Sequence, residues 1–263
     1  TQLNMFLKLA TSSQQLIDLS KNVIVGNALI DDPSVDPNAF EWEKKFPHKF
    51  DVIVGNPPYV RQEKIKSIKP FLQKNYIVYH GVADLYVYFF ELGLTLLKDN
   101  GVLNYIISNK WMKTDYGKNL RIYLEKYFVN EIIDFGDTQI FDGATTYPCI
   151  IRINNNYLSN KKVRCVIIDN KKFNMLNSHI SKNLFYFKQT DLKQKSWNIQ
   201  NPKISEIFNR ISLKSDSLGK IIANGSNRGI LTGADNIFIL NEDQKEYFIK
   251  KDPNCKKLIK PHL

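Results

Sequence analysis

The chain has 263 residues, of which 43% are hydrophobic, and its 37 Lys and Arg against 26 Asp and Glu give a formal net charge of +11. This length and apolar content suit one large domain, or one domain with part of another, and they exclude a disordered chain; no apolar run is long enough to span a membrane. The basic excess favours a polyanionic partner, and three scattered cysteines without a Cys-x-x-Cys pair exclude a disulfide framework or zinc knuckle and fit a reducing, bacterial-type cytoplasm.

The first 48 residues predict a helix, a short strand and a loop. Apolar residues at helical spacing predict the helix over 3–20. The β-branched run over 22–26 predicts a strand, with Asn27-Ala28-Leu29-Ile30 just past its end. Three prolines and several acids predict a loop over 31–48.

The tetrapeptide Asn56-Pro57-Pro58-Tyr59 is the most informative feature of the chain. It follows Phe50–Gly55, an apolar run that predicts a buried strand ending in glycine. Ligands of open α/β sheets bind at the carboxyl ends of strands. The tetrapeptide therefore suits chemistry on a planar nitrogen, such as an amide or a base amine. The alternative is a strand that simply stops at a Pro-Pro turn.

Strands alternate with helices in the middle of the chain. Residues 60–80 contain five Lys or Arg and one Glu, which predicts a mobile basic loop over the site. Apolar periodicity predicts helices over 84–97 and 118–127, and strands over 102–107 and 131–135. This alternation predicts an α/β fold with a mostly parallel sheet between helical layers.

A further β run over 147–154 follows a loop and not a helix. We therefore expect it to join the sheet antiparallel. Residues 99–101, Asp-Asn-Gly, predict a turn or a helix stop before the strand over 102–107.

The composition changes near residue 155. Residues 155–195 contain nine Lys or Arg and two acids, interleaved with aromatic residues. A new unit is predicted after Trp197, beginning with a helix over 204–211 and continuing with short β runs over 218–240.

Several segments together resemble a known family, the gamma-type amino-methyltransferases that modify N6 of adenine in DNA, and most closely those of type IIG restriction–modification enzymes. The segments are 26–29, 50–59, 83–86 and 142–148, and 229–233 resembles the start of a target-recognition domain. The resemblance implies a Rossmann-like S-adenosylmethionine-dependent methyltransferase sheet. It also implies a catalytic core over 1–155, a basic extension over 156–195 and the start of a target-recognition domain over 196–263.

The chemistry of adenine explains why such a turn is needed. The N6 lone pair is delocalised into the ring, so the amine is a poor nucleophile. The Asn56 side-chain oxygen and the Pro57 carbonyl can accept hydrogen bonds from the two N–H groups of this amine. Such bonds favour a more electron-rich nitrogen. Pro57 and Pro58 fix two φ angles, which preorganises these acceptors. Tyr59 can stack on the base, which must be flipped out of the duplex, and no metal is required.

The resemblance assigns further residues to the base and the cofactor. Tyr147 is placed on the opposite face of the flipped base, against the alternative of a core tyrosine. The Asn27-Ala28-Leu29 turn is placed at the adenine of S-adenosylmethionine, against the alternative of an asparagine favoured by turn geometry.

Apart from the resemblance, the basic segments 60–80 and 155–195 are candidates for contact with DNA phosphates, against the alternative of a solvated lysine-rich surface. For double-stranded DNA, the candidate contacts are Arg61, Lys64 and Lys110, with Arg228 as a reader of a guanine edge.

The chain departs from the family pattern at its start. The aromatic-x-Gly-x-Gly segment that holds the methionine part of the cofactor does not occur before Asn27. We therefore expect the front strands of the sheet to be missing, the cofactor pocket to be incomplete, and this chain alone to be inactive. An unpaired edge at the 50–55 strand would also favour self-association.

Two other functions remain open from the sequence. A protein glutamine-N5 methyltransferase also uses Asn-Pro-Pro-Tyr on an amide nitrogen, although the basic balance and the carboxyl-terminal unit argue against it. A DNA-binding module without turnover is the other.

Overall fold

The computed structural model describes residues 21–138, 140–141, 147–156, 162–168, 176–192, 196–216 and 240–259. The chain divides into two compact units, Thr1–Glu206 and Ile207–Leu263. The helix expected over 3–20 and the β runs expected over 218–240 lie outside the described residues, apart from the last residue of the latter range.

The elements of the described chain are short and follow one another closely. The strands are β1 (Phe50–Gly55), β2 (Leu97–Ser108), β3 (Phe128–Asp134), β4 (Pro148–Asn154), β5 (Lys162–Ile167) and β6 (Phe185–Lys188). The α-helices are α1 (Trp42–Lys45), α2 (Lys69–Asn75), α3 (Tyr86–Leu96), α4 (Lys118–Leu124), α5 (Leu176–Asn183), α6 (Pro202–Lys214) and α7 (Glu242–Lys251). The 3₁₀ helices are Gln62–Ile68, Lys110–Met112, Asp115–Gly117, Gln189–Asp191 and Pro253–Lys257.

The six strands form one sheet in the order β1-β2-β4-β3-β5-β6. The pairs β1–β2 and β3–β5 are parallel, whereas β2–β4, β3–β4 and β5–β6 are antiparallel. The antiparallel entry of β4 is confirmed, but the mostly parallel sheet is wrong. β4 lies between β2 and β3 and runs against both of them.

The core lies between β2 and α3. The first eight residues of α3 are mostly apolar and buried, as expected of a helix covered on all sides. A Cβ at Gly93 would lie 2.5 Å from the Leu103 Cδ1 atom and from the Tyr105 hydroxyl oxygen, so the helix approaches β2 closely. This packing fixes α3 against the strand that neighbours β1.

β1 is an edge strand and not the buried strand that its apolar sequence predicts. The side chains of Val52 and Val54 are 56% and 75% exposed. The unpaired edge that the sequence analysis expects at this strand is observed, since in the described chain β1 pairs with β2 alone.

The strand predicted over 22–26 does not form. Residues 22–26 pair with no strand of the described chain, the isolated bridge next to them joins Asn27 to Ala39, and Val25 is 95% exposed. β-branched residues favour a strand only where a neighbouring strand can pair with them. The described chain provides no such neighbour here.

The basic loop predicted over 60–80 is also wrong, because most of it is helical. It forms the 3₁₀ helix Gln62–Ile68 followed directly by α2. Ile65, Leu72 and Val78 are buried in the core below it. The prediction counted charges and overlooked these apolar positions.

The predicted turn over 99–101 is a bulge inside β2. Phe50 pairs with Leu97 and Val52 pairs with Val102, so β2 carries three additional residues here. Asn100 takes a positive φ of 63°, which asparagine tolerates better than most residues.

The sheet continues into the basic segment that follows residue 155. β5 and β6 add two strands beyond β3, and Cys165 and Val163 of β5 are buried. The predicted helix over 204–211 is confirmed as α6.

Candidate active site

The Asn56-Pro57-Pro58-Tyr59 turn leaves the carboxyl end of β1, as the sequence predicts. Since β1 and β2 are parallel, the turn lies at the same edge of the sheet as the end of β2. Pro57 is buried, whereas Asn56 and Pro58 are exposed. Among the described residues the Asn56 amide has no hydrogen-bond partner, so its oxygen is free to accept from a ligand.

The Tyr59 side chain is partly buried and packs against an aromatic neighbour. Its ring contacts the Tyr86 ring edge-on, with centroids 6.2 Å apart. Its hydroxyl is buried without a hydrogen-bond partner in the described chain. Burial, aided by the nearby Cys149, raises the pKa of Tyr59 to about 12, so the phenol stays neutral.

Three successive contacts join the segment after the turn to the start of α3. Each is made by a residue of Asp84-Leu85-Tyr86, which we call the clamp. Tyr86 contacts Tyr59 through the rings, the Leu85 N–H donates to the Val60 carbonyl at 2.9 Å, and the Gln62 N–H donates to an Asp84 carboxylate oxygen at 3.1 Å.

Tyr147 is half-buried and directly precedes β4. Its carbonyl accepts the Asn109 N–H at 2.7 Å, and the Lys110 ammonium lies 5.4 Å from its ring centroid. The Asn109 amide donates to Asp134 at 2.7 Å, which ties the end of β2 to the end of β3. The structure thus brings two of the predicted residues, Tyr147 and Lys110, into contact.

The 27–29 turn is fixed by side chains from distant parts of the chain. The Tyr76 hydroxyl donates to the Leu29 carbonyl at 2.8 Å, and the Trp42 indole donates to the Ala28 carbonyl at 2.9 Å. The Asn27 amide donates to Asp36 at 2.8 Å and accepts the Leu29 N–H at 3.2 Å. These bonds fit the alternative in which Asn27 shapes the turn, and its contact with a cofactor stays a prediction.

Glu91 supports the segment that carries Tyr76. This buried carboxylate on α3 accepts the N–H groups of Ile77 at 3.1 Å and Val78 at 2.9 Å. Two charge-assisted bonds to consecutive amides hold the backbone next to Tyr76 in one position.

A cavity of about 650 Å³ opens beside β1. Both predicted elements line it, since it includes Asn56, Pro57 and Pro58 of the turn together with Ala28. Its other walls are largely aromatic and aliphatic, among them Phe40, Trp42, Phe46, Phe50, Phe89 and Leu92. The Phe40 and Trp42 rings meet edge-on at 4.9 Å. Such a cavity suits a planar apolar ring.

The predicted DNA contacts divide into described and undescribed residues. Arg61, Lys64 and Lys110 are exposed. Arg61 directly precedes the first 3₁₀ helix and Lys64 lies within it, close to the turn in sequence. Arg228 lies outside the described residues.

Asp84, Tyr76 and Glu91 are site residues that the sequence interpretation did not assign. Asp84 belongs to the segment 83–86, which resembles the family but has no assigned role. Tyr76 lies in the predicted basic loop over 60–80, and Glu91 lies in the predicted helix over 84–97. A carboxylate within an otherwise apolar helix was the one available signal for Glu91.

The described residues contain no cluster of three or more His, Cys, Asp or Glu side chains that could hold a metal ion. In the same part of the chain, no helix combines the length and the apolar character needed to cross a bilayer.

The mixed α/β sheet, with this turn at the carboxyl end of β1, defines a Rossmann-like methyltransferase fold. A family model supports this class and narrows it. The chain belongs to the Eco57I restriction-modification methylase family, whose model matches residues 1–141.

Two curated relatives agree with this family. The chain is 30% identical over 243 residues to the type II restriction enzyme and methyltransferase RM.Eco57I of Escherichia coli, covering 87% of the chain and 24% of the relative. It is 34% identical over 215 residues to the type II methyltransferase M.BstVI of Geobacillus stearothermophilus, covering 74% and 38%. The chain therefore spans well under half the length of these relatives.

The fold is also similar to that of MmeI, a type IIL restriction-modification enzyme solved in complex with DNA. The TM-score is 0.55 at 14% identity, over 83% of this chain and 28% of that chain. At this identity the likeness concerns the fold alone.

Proposed function

We propose that this chain provides the target-base turn and part of the cofactor pocket of a site-specific DNA adenine-N6 methyltransferase in a restriction–modification system. The observation that carries the proposal is the exposed, unpartnered Asn56 amide beside Tyr59, in a cavity shared with the 27–29 turn. The family match and the printed names of the relatives support the same class.

Asn56 and Pro57 act on the amine of the flipped adenine. The Asn56 oxygen and the Pro57 carbonyl accept hydrogen bonds from the two N–H groups of the amine. These bonds reduce the conjugation of the nitrogen lone pair with the ring. Because Pro57 is buried, its carbonyl is held in place before the base arrives, and little reorganisation is needed during the reaction.

Tyr59 and Tyr147 hold the base between two rings. The Tyr59 ring contacts Tyr86 on one side and is only partly buried. Stacking of a base on an aromatic side chain is worth about 1–3 kcal/mol. The Lys110 ammonium now over Tyr147 can move to a DNA phosphate when the base enters.

The cavity residues fit the adenosine part of S-adenosylmethionine. Ala28, Trp42 and Phe46 offer apolar and aromatic surface for a planar ring, and Ala28 is the residue through which the Asn27-Ala28-Leu29 turn lines the cavity. When bound, this cofactor supplies the electrophilic methyl group. The residues of this chain orient the ring and keep water from the apolar walls.

Arg61, Lys64 and Lys110 contact DNA phosphates in this proposal. Duplex affinity then falls steeply with salt, and each of the three replacements by alanine reduces the slope of log affinity against log salt by about one. Residues 196–263, including Arg228, are proposed as the start of the domain that reads the bases. A DNA substrate agrees with the cytoplasmic location expected from the cysteines.

The full-length protein tests the proposal directly. Labelled S-adenosylmethionine is supplied with duplex DNA or with a glutamine-bearing peptide, and the product is hydrolysed and identified. N6-methyladenine is the expected product. Labelled peptide and unlabelled DNA would instead identify the glutamine methyltransferase, and salt-sensitive duplex binding without transfer would identify a binding module.

Two substitutions of Tyr59 distinguish the contribution of its ring from that of its hydroxyl. Tyr59→Ala is expected to lower kcat/KM for DNA about 5- to 150-fold, the loss of one stacking contact. Tyr59→Phe is expected to stay within about threefold of the wild type, because the hydroxyl it removes is buried and unpartnered. Steady-state transfer rates check both variants. A Tyr59→Phe variant as damaged as Tyr59→Ala would contradict this role.

We also propose that the free edge of β1 lets this 263-residue chain self-associate. Exposed valines on an edge strand invite pairing with a second strand, and a lysine there opposes it. Analytical ultracentrifugation is expected to show dimers for the chain and monomers for Val54→Lys. The control is Ile77→Lys, which adds the same charge at an exposed position outside β1 and is expected to leave the dimer intact. Dimers that persist in Val54→Lys would refute the β1 edge as the interface.

A further inference from the structure

The clamp contains a carboxylate that is bonded to a distant segment and not to its own helix. The Asp84 side chain accepts the N–H of Gln62, 22 positions earlier in the chain. Leu85 occupies the N-cap position of α3, and no side chain accepts a capping hydrogen bond at that end of the helix. An aspartate just before a helix usually caps it, so this one is used for another purpose.

The contact is maintained although it costs desolvation. Burial raises the pKa of Asp84, and the Gln62 N–H and the Lys110 ammonium oppose that rise. Glu63 and Arg61 are the other charged groups that act on it, with opposite signs. A half-buried carboxylate needs such partners to remain in place.

Asp84 is linked, through one intermediate residue on each side, to both candidate base-stacking residues. Through Gln62 it fixes the segment that begins at Tyr59, and Lys110, which acts on its charge, lies over the Tyr147 ring. Its neighbour Tyr86 contacts Tyr59 directly. The clamp therefore connects both walls of the proposed base pocket.

We propose that Asp84 is a positioning residue for methyl transfer, which holds the exit of the catalytic turn so that Tyr59 presents its ring to the target base. The inference rests on the proposed function. Asp84 does not touch the amine. It acts through Gln62, and a small displacement of the reacting groups can reduce the rate about 10²-fold.

Two substitutions at Asp84 in the full-length enzyme test this role. Asp84→Ala removes the acceptor and is expected to lower kcat about 10- to 100-fold. Asp84→Asn keeps an acceptor oxygen for the Gln62 N–H and is expected to retain kcat within about threefold. Glu63→Gln, a neighbouring exposed carboxylate, controls for the local loss of charge.

The donor side of the same bond provides a second, milder test. Gln62 is the first residue of a 3₁₀ helix and the residue before it is extended at φ −69° and ψ 150°, a geometry that accepts proline. Gln62→Pro deletes the N–H that Asp84 accepts, whereas Gln62→Ala keeps it. Gln62→Pro is expected to lower kcat like Asp84→Ala, with Gln62→Ala near the wild type.

A fluorescent base analogue distinguishes positioning from a general loss of fold. With 2-aminopurine at the target position, Asp84→Ala and Gln62→Pro are expected to change the emission of the bound duplex while its Kd stays within about threefold of the wild type. Unchanged kcat in both variants, or Asp84→Asn as slow as Asp84→Ala, would overturn the proposal. If the wild type transfers no methyl group to DNA, the proposed function itself fails, and that result is visible before any variant is compared.

Discussion

Asn56→Ala in the full-length enzyme is expected to lower kcat for adenine methylation at least about 10²–10³-fold, with duplex affinity within about threefold of the wild type. The loss of one preorganised hydrogen-bonding group at a reacting centre has this order of effect. Asn56 is exposed and has no partner in the described chain, so its removal leaves no buried group unsatisfied. Rapid-quench transfer assays and a duplex titration measure the two quantities separately.

Two variants serve as matched controls for Asn56→Ala. Asn56→Asp keeps an acceptor oxygen at the same position and is expected to retain far more activity than the alanine variant. Asn183→Ala changes an exposed asparagine on α5, outside the turn and outside residues 196–263, and should leave the rate unchanged. Wild-type turnover by Asn56→Ala would refute the assigned role of the turn.

Gly117→Ala is expected to destabilise the fold by about 3 kcal/mol or more, a large loss for a single methyl group. The added Cβ would lie 1.9 Å from the Trp111 carbonyl oxygen, a backbone atom that cannot move alone. The Arg121 guanidinium donates to that same carbonyl and to the Thr114 carbonyl at 2.9 Å, so the whole turn would have to shift.

Gly81→Ala is the control, because a Cβ there meets no atom within 4 Å. It is expected to be neutral or slightly stabilising, since alanine restricts the unfolded chain. Thermal unfolding followed by near-ultraviolet circular dichroism compares the two midpoints. Equal midpoints for the two variants would show that the Gly117 turn tolerates a side chain.

The position of the catalytic turn was predictable from the sequence. An apolar run ending in glycine, followed by two prolines, fixes both the end of a strand and the direction of the chain after it. The antiparallel entry of β4 was predictable as well, because no helix precedes it. Both predictions depend on residues close together in the chain.

The predictions from sequence were wrong where the local residue pattern favours one structure and the contacts with the rest of the chain impose another. The 22–26 run has the composition of a strand but pairs with no strand of the described chain, and β1 looks buried although Val54 is largely exposed. In the 60–80 segment the charged residues obscured the apolar positions Ile65 and Leu72, which decide its helical structure. Strand propensity and charge counts do not report which neighbours are present.

The supporting contacts of the site could not be read from the sequence at all. Gln62 and Asp84 are 22 positions apart, and Tyr76 and Leu29 are 47 apart. Each bond depends on how α3 packs against the sheet, and one sequence contains no signal for such a pair.

The position of α3 has a consequence for the geometry of the reaction. Its start holds the segment after the catalytic turn through Asp84, and its middle holds, through Glu91, the backbone beside Tyr76 and thus the turn at Leu29. In the proposed function, the segments that hold the methyl donor and its acceptor are therefore both bonded, directly or through one residue, to the same helix. A thermal displacement of the helix carries both in the same direction, so the gap that the methyl group must cross changes less than either position does.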